Sequence, residues 1–383
     1  MDFFKESKKK KFYITTTIAL TYMFFRGQPR RWKEEFNVCA ISAEPERLKQ
    51  FADEEGIKYK LIPMHREISL FSDFFCLFRF LWLFIKNRPY IVHGNTPKAS
   101  MLSMVAAWIT RRPVRIYMCH GLRYQGTKGK LRKLLMMMER LTCMCATHVI
   151  SVSKGVAEVM VSDGLCKKEK MRVIGYGSAG GVDLKLFNPQ EVQSNIRKEI
   201  NIPDTSFVFC FVGRLVGDKG VNELVKAFDR LCEENKDAHL LLVGPVETDQ
   251  DPIDTTTLSI IKNNPNIHAV GMQKDVRPYL KASNAFVLAS YREGFGMVLI
   301  EAGAMGLPCI TTNITGCNEI IVPGENGAII EPKDDEALYQ EMKCWCDNPL
   351  RLKIMASKSR KMVEERYECH KVWENYMQFY ESL

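Results

Sequence analysis

The chain has 383 residues, 46% hydrophobic and 26% charged, a composition that fills a sizeable core and excludes a disordered tract. Residues 1–190 hold 33 Lys and Arg against 16 Asp and Glu, a net of +17, and the remainder is −8, giving +9 overall. The length predicts two domains, and the basic half points to an anionic partner, whether a membrane leaflet, a phosphorylated lipid or nucleic acid, set against a merely solvated basic surface.

The N-terminal run 8–11 followed by 12–25 imitates the basic and apolar regions of a signal peptide. Arg26, Gly27 and Gln28 stand where a small-residue cleavage site is required, and Thr15, Thr16 and Thr17 suit a strand. The first strand is therefore expected over 13–17. Further strands are expected over 37–41, 91–92, 115–119 and 148–151. The stretch 68–85 carries seven aromatic residues, interrupted by Asp73 and Arg79, and reads as a helix. Two readings stay open for it: deep burial, or partial immersion in a membrane interface with Lys86 and Arg88 on anionic headgroups.

The segment 175–189 is rich in glycine and is the expected hinge. Beyond it, strands are expected over 207–212, 240–243, 267–270, 285–288, 309–311 and 327–330. Helical stretches separate most of these, the pattern of parallel sheets with crossover helices. Residues 355–383 read as helix, with Trp373, Tyr376, Met377 and Tyr380 at helical spacing. Two doubly wound α/β domains are predicted, 1–183 and 184–365, with 366–383 crossing back to the first. Ligands of such sheets sit outside the carboxyl ends of the strands.

The 13 cysteines are odd in number and scattered. Cys143 and Cys145 are two apart, as are Cys344 and Cys346, so neither pair has zinc or redox spacing. Free buried thiols and a reducing cytosol are expected.

Two motifs carry chemistry. After the strand 207–212 come Gly213, Arg214, Leu215, Lys219 and Gly220, two cations close to a helix start and suited to a diphosphate. After 285–288 come Glu293, Gly294, Phe295 and Gly296, then Met297, Val298 and Glu301. The glutamates are eight apart. A helix from near Gly296 would aim amides at an anion and place Glu301 about one turn in, able to bind paired ribose hydroxyls. By themselves a basic loop and a surface glutamate pair are the plain alternatives. Asp249 and Asp251 form a D-x-D pattern, but no diphosphate site is expected near it, so no metal role is assigned.

These blocks, with Leu242, Val243, Gly244 and Pro245 between them, resemble glycosyltransferase family 4 over nearly the whole chain. The stretches 91–98, 177–183 and 277–280 resemble its bacterial capsule and O-antigen members. The resemblance implies a GT-B fold of two Rossmann-like domains and a retaining hexosyltransferase that needs no metal. It implies Arg214, Lys219 and amides near Gly296, Met297 and Val298 on the donor diphosphate, with Glu301 on the ribose. Glu293 would meet the transferred sugar, and Val270 to Met272 the base, most often uracil. His120, which would otherwise be read as structural, corresponds to a histidine near the sugar. Arg26, Gln28 and Lys98 fall on the acceptor side, although the glycine-rich turn of many members is absent after the first strand.

The expected reaction moves a hexose or N-acetylhexosamine from a nucleotide-sugar, UDP-linked, to a polyprenyl-diphosphate-linked saccharide. The expected place is the cytoplasmic face of a bacterial plasma membrane, peripherally bound. A soluble acceptor and a UDP-sugar 2-epimerase are the alternatives. Nothing resembles a nucleic-acid-binding module.

Overall fold

The computed structural model describes residues 9–65, 67, 69–249 and 251–383. Lys8, Ile68 and Gln250, which belong to the signal-like run, the aromatic stretch and the D-x-D pattern, lie outside the described residues. The chain forms two units. Unit 1 is the described part of Met1–Gly180 together with Val372–Leu383, and unit 2 is Gly181–Lys371.

Unit 1 runs β1 (Lys10–Thr15), α1 (Gln28–Trp32), β2 (Phe36–Ser42), α2 (Pro45–Glu55), β3 (Lys58–Leu61), α3 (Leu70–Asn87), β4 (Ile91–Gly94), α4 (Pro97–Ile109), β5 (Val114–Cys119), α5 (Gly129–Cys145), β6 (His148–Ser151), α6 (Lys154–Ser162) and β7 (Met171–Val173). Its seven strands lie in the order β3-β2-β1-β4-β5-β6-β7, and every pairing is parallel. Unit 2 runs α7 (Ile196–Glu199), β8 (Phe207–Val212), α8 (Val221–Glu234), β9 (Ala238–Val243), α9 (Thr255–Asn263), β10 (Ile267–Gly271), α10 (Arg277–Lys281), β11 (Ala285–Leu288), α11 (Met297–Ala304), β12 (Cys309–Thr312), β13 (Gly327–Ile330), α12 (Asp335–Asp347) and α13 (Pro349–Arg366). Its six strands lie in the order β10-β9-β8-β11-β12-β13, again all parallel. A last helix, α14 (Cys369–Glu381), carries the chain back to unit 1.

Central parallel strands are covered on both faces, so they read as unbroken apolar runs, as β9 does with all six residues buried. The eleven strands expected from such runs form. The first begins earlier than expected, at Lys10, leaving Thr16 and Thr17 beyond its end. β3 and β7 were not expected. β3 is a short edge strand of sequence Lys-Tyr-Lys-Leu, exposed at every residue, and its lysines blunt the open edge. β7 has three residues, none of them buried.

The expected single helix over 355–383 is two. Val182 donates to the Tyr367 carbonyl (2.8 Å) and accepts from the Cys369 amide (3.0 Å), and this strand-like bridge interrupts the helix at 367–368. After the break, Trp373 donates to the Gly180 carbonyl (2.9 Å) and Tyr376 to that of Ser178 (2.9 Å). Tyr380 meets Phe12 edge-on and shares a hydrogen bond with His93 Nε2 (3.1 Å).

The aromatic stretch resolves into α3, whose two sides differ. Cys76, Phe80, Leu83 and Phe84 enter the core, while Phe71, Phe75 and Trp82 stand in solvent. Asp73, expected only as an interruption, is buried and accepts from the Lys98 ammonium at 2.7 Å, pinning α3 to α4. Lys98, expected on the acceptor side, is buried as well, and its charge is matched within the fold by Asp73.

Removing one partner of a buried pair leaves an uncompensated charge, so Lys98→Met should destabilise unit 1 by about 3–5 kcal/mol. The double change Asp73→Leu/Lys98→Met should recover most of that loss in urea unfolding.

Candidate functional site

In unit 2 the strand order reverses between β8 and β11, which pair with each other, so the loops after these two strands start side by side. The loop after β8 passes through Arg214 and a single turn at Gly217–Lys219 before α8. Gly220 caps that turn at φ +68°, and a Cβ there would lie 1.9 Å from the Ala289 carbonyl oxygen, so only glycine fits. Ala289 opens the loop after β11, and Tyr291 donates its amide to the Asp218 carbonyl (2.8 Å). The two loops are thus stitched backbone to backbone.

The expected charged residues meet there. Lys219 Nζ donates to Glu293 Oε1 at 2.5 Å, and Ser290 Oγ donates to the same oxygen at 2.9 Å. The lysine and glutamate side chains are mostly buried, so their attraction is weakly screened. Arg214 is half-exposed and paired with Glu247 at 2.7 Å. Each of these two cations is therefore paired with a carboxylate of the chain itself.

The acidic loop after Gly244 and Pro245 corrects one expectation. It folds over the turn at 217–219, where Asp251 accepts from Gly217 N through its carbonyl (2.8 Å) and from Asp218 N through Oδ2 (2.5 Å). The D-x-D pattern therefore borders the candidate diphosphate site. Its second aspartate is occupied in holding the loop's backbone.

α11 begins after Gly296 with no side-chain cap. Gly294 and Phe295 lie against Gly316, whose φ of +77° and 2.5 Å clearance from the Gly294 carbonyl oxygen exclude a Cβ. Gly296 donates its amide to Gly316 O (2.8 Å) and Met297 donates to Phe295 O (2.8 Å). Of the three amides expected to face an anion, these two are thus committed within the loop, which leaves that of Val298 in the first helical turn. The supporting turn at Gly316 was not singled out from sequence, although Asn313, Thr315 and Gly316 directly after a strand are a turn signal.

Glu301 sits one turn into α11. Burial pushes its carboxyl up to about 7, and its side chain has no hydrogen-bond or ion-pair partner among the described residues. Val270, at the end of β10, accepts from Gln273 Nε2 (2.7 Å), and Met272 is 76% exposed beside a cavity of about 630 Å³ lined in part by Gln273, Lys274, Asp275 and Tyr279. Val270 and Glu301 do not line that cavity.

In unit 1, His120 follows β5 and stacks on Phe24 (5.6 Å between centroids). Burial pulls its pKa down to about 4, so it is neutral at pH 7, and its Nε2 is buried without a partner among the described residues. Arg26 pairs with Glu54 at 3.1 Å. Gln28 is fully buried and donates to the Ala179 carbonyl (2.8 Å), which makes it part of the fold rather than a displayed polar group. One cluster of potential metal ligands occurs among the described residues, Glu368, Cys369 and His370, and it belongs to none of these loops.

Comparison with known proteins bears on this arrangement. The family model described as Glycosyl transferases group 1 matches residues 192–364, and that described as Glycosyltransferase Family 4 matches residues 30–178. The capsular polysaccharide biosynthesis glycosyltransferase CapM of Staphylococcus aureus is 33% identical over 379 residues, 98% of each chain. A UDP-Gal:alpha-D-GlcNAc-diphosphoundecaprenol alpha-1,3-galactosyltransferase of Escherichia coli is 28% identical over 334 residues, covering 86% of this chain and 85% of that one. Among solved structures, Anabaena Alr3699/HepE in complex with UDP superposes with a TM-score of 0.82 at 17% identity, covering 97% of this chain and 100% of that one, a likeness of fold.

The raised pKa of Glu301 has a sign. An acid whose folded pKa lies above its ordinary 4.5 lowers stability as pH rises from about 4.5 to about 7, with the full penalty above that. Without ligand, Glu301→Gln should match wild type at pH 4 and exceed it by about 2–3 kcal/mol at pH 8, read from denaturant midpoints.

Proposed function

The chain belongs to glycosyltransferase family 4, and from that premise we propose that it moves a hexose or N-acetylhexosamine from a UDP-sugar to a lipid-linked saccharide with retention of configuration. The observation that carries the donor assignment is Glu301. A carboxylate only partly open to water and left without donors from the described residues is costly, and a pair of ribose hydroxyls supplies the missing bonds.

The donor diphosphate then takes over the cations that carboxylates hold in its absence. Lys219 turns from Glu293 and Arg214 from Glu247 towards the phosphates, and the Val298 amide adds a third donor. Negative charge grows on this diphosphate as the glycosidic bond breaks, and each fixed donor is worth about 2.7–4 kcal/mol of barrier. Released from Lys219, Glu293 is free to accept from a sugar hydroxyl. With attack on the face the diphosphate leaves, the departing phosphate takes the acceptor's proton. No side chain is then required as general base, and neutral His120 serves as a hydrogen-bonding group near the sugar. The charge stabilisation in this scheme comes from Arg214, Lys219 and amides, without a metal.

The relatives favour a membrane-held acceptor: the Escherichia coli enzyme is named for a diphosphoundecaprenol-linked sugar, and the Staphylococcus aureus one for capsule synthesis. On this reading the chain works in capsule or O-antigen assembly, as a peripheral protein on the cytoplasmic leaflet. No described helix is long and apolar enough to cross a membrane.

A thermal-shift panel of UDP, GDP and ADP tests the donor site. UDP should stabilise wild type, and Glu301→Ala should abolish the shift while remaining folded. An equal shift in Glu301→Ala would remove the ribose assignment. Lys219→Ala should lower kcat about 10²–10³-fold in a transfer assay, and an unchanged kcat would contradict the diphosphate role.

A further inference from the structure

Unit 1 turns an apolar helix face outward. β4, β5 and β6 follow one another across its sheet, and right-handed crossovers place α3, α4 and α5 together on one face. α4 packs between the other two, and all three contribute to one core beneath them. The outer side of such a layer is ordinarily polar. Here α3 presents Phe71, Phe74, Phe75, Phe78, Trp82 and Ile85, all more than half exposed. α4 ends on exposed Trp108 and Ile109. The outward side of α5 repeats the pattern: Leu131, Leu134, Met137, Leu141 and Met144 recur at three- and four-residue spacing in solvent, with Met137 62% and Met144 61% exposed. An apolar surface of this extent marks an interaction site.

Charge selects the partner. Residues 70–145 contain thirteen Lys and Arg and two acids, Asp73 and Glu139. Both acids are buried, Asp73 on Lys98 and Glu139 on the Tyr117 hydroxyl (2.6 Å). The layer therefore shows cations to solvent and no carboxylate. Lys130, Lys133 and Arg140 flank the α5 stripe, and the Lys86 ammonium lies 4.8 Å from the centre of the Trp82 ring. Aromatic and aliphatic side chains edged by unopposed cations match the boundary between acyl chains and anionic headgroups.

We infer that the outer face of α3, α4 and α5 docks unit 1 on an anionic phospholipid leaflet, with the α3 aromatics and the α5 stripe immersed at the headgroup boundary. The inference rests on the reading that the acceptor is lipid-linked, and it adds the surface that brings the enzyme to it.

The full-length protein is mixed at low salt with vesicles of phosphatidylcholine alone or with phosphatidylglycerol, their acyl chains brominated. Co-sedimentation with the anionic vesicles is expected, with tryptophan fluorescence quenched, and Trp82→Phe and Trp108→Phe should each lose part of the quenchable signal. Lys130→Glu and Lys133→Glu should each weaken binding at least five-fold, about the factor that one cation near an anionic leaflet contributes. Phe75→Glu/Phe78→Glu should abolish the quenching and keep the UDP thermal shift. Three results would overturn the inference: a protein that binds UDP yet sediments with neither vesicle, binding in which Trp82 and Trp108 stay unquenched, or a lipid-free dimer that Phe75→Glu/Phe78→Glu dissociates, which would make a second copy the occupant. Absence of a UDP shift in wild type would instead count against the donor site.

Discussion

The pairing of β8 with β11 is the constraint on which the candidate site depends, and the ion pair between Lys219 and Glu293 spans it. It joins residues 74 apart in sequence, and it can form because β8 and β11 are neighbours where the strand order reverses. Around it the backbone is held from three sides: Gly220 against Ala289, Tyr291 on Asp218, and Asp251 on Gly217 and Asp218. A backbone so tied loses little further freedom when a ligand arrives, so that on the proposed reading only the Lys219 and Arg214 side chains need to turn.

Glu301 shows the other side of the same design. A carboxyl so shielded, without a partner among the described residues, lowers the stability of unit 2 as pH rises towards neutrality, and on the proposed reading a ligand supplies the partner that the fold withholds. Lys98 and Asp73 are the contrast in unit 1, a more deeply buried pair matched to each other, whose consequence is the seating of α3 on α4. The lone Glu301 and the Lys98–Asp73 pair thus differ in whether the fold itself supplies the partner.

Much of this was legible in the sequence. Unbroken apolar runs located the central strands because both faces of a parallel sheet are covered. The block from Gly213 to Lys219 and the pair Glu293 and Glu301 were legible because glycine and charge concentrate after strand ends. What escaped depended on tertiary partners. β3 carries lysines on an open edge and shows no apolar run. The break at 367–368 exists because Val182 competes for the backbone there. Asp251 is far from Gly217 in sequence, and only the folding of one loop over another joins them. The outward direction of the α5 stripe was likewise hidden, since a helical apolar period indicates that a face exists and not whether the sheet or the solvent receives it.

The central claim is that unit 2 holds a UDP-sugar whose sugar is passed to a lipid-linked acceptor. It is tested most directly by incubating the protein with radiolabelled UDP-sugars and membranes carrying polyprenyl-diphosphate saccharides, then partitioning the products between water and organic solvent. The account predicts label in the organic phase, α-linked, dependent on Lys219. Label recovered only as free sugar in water, with or without acceptor, would contradict it and favour a hydrolytic epimerase.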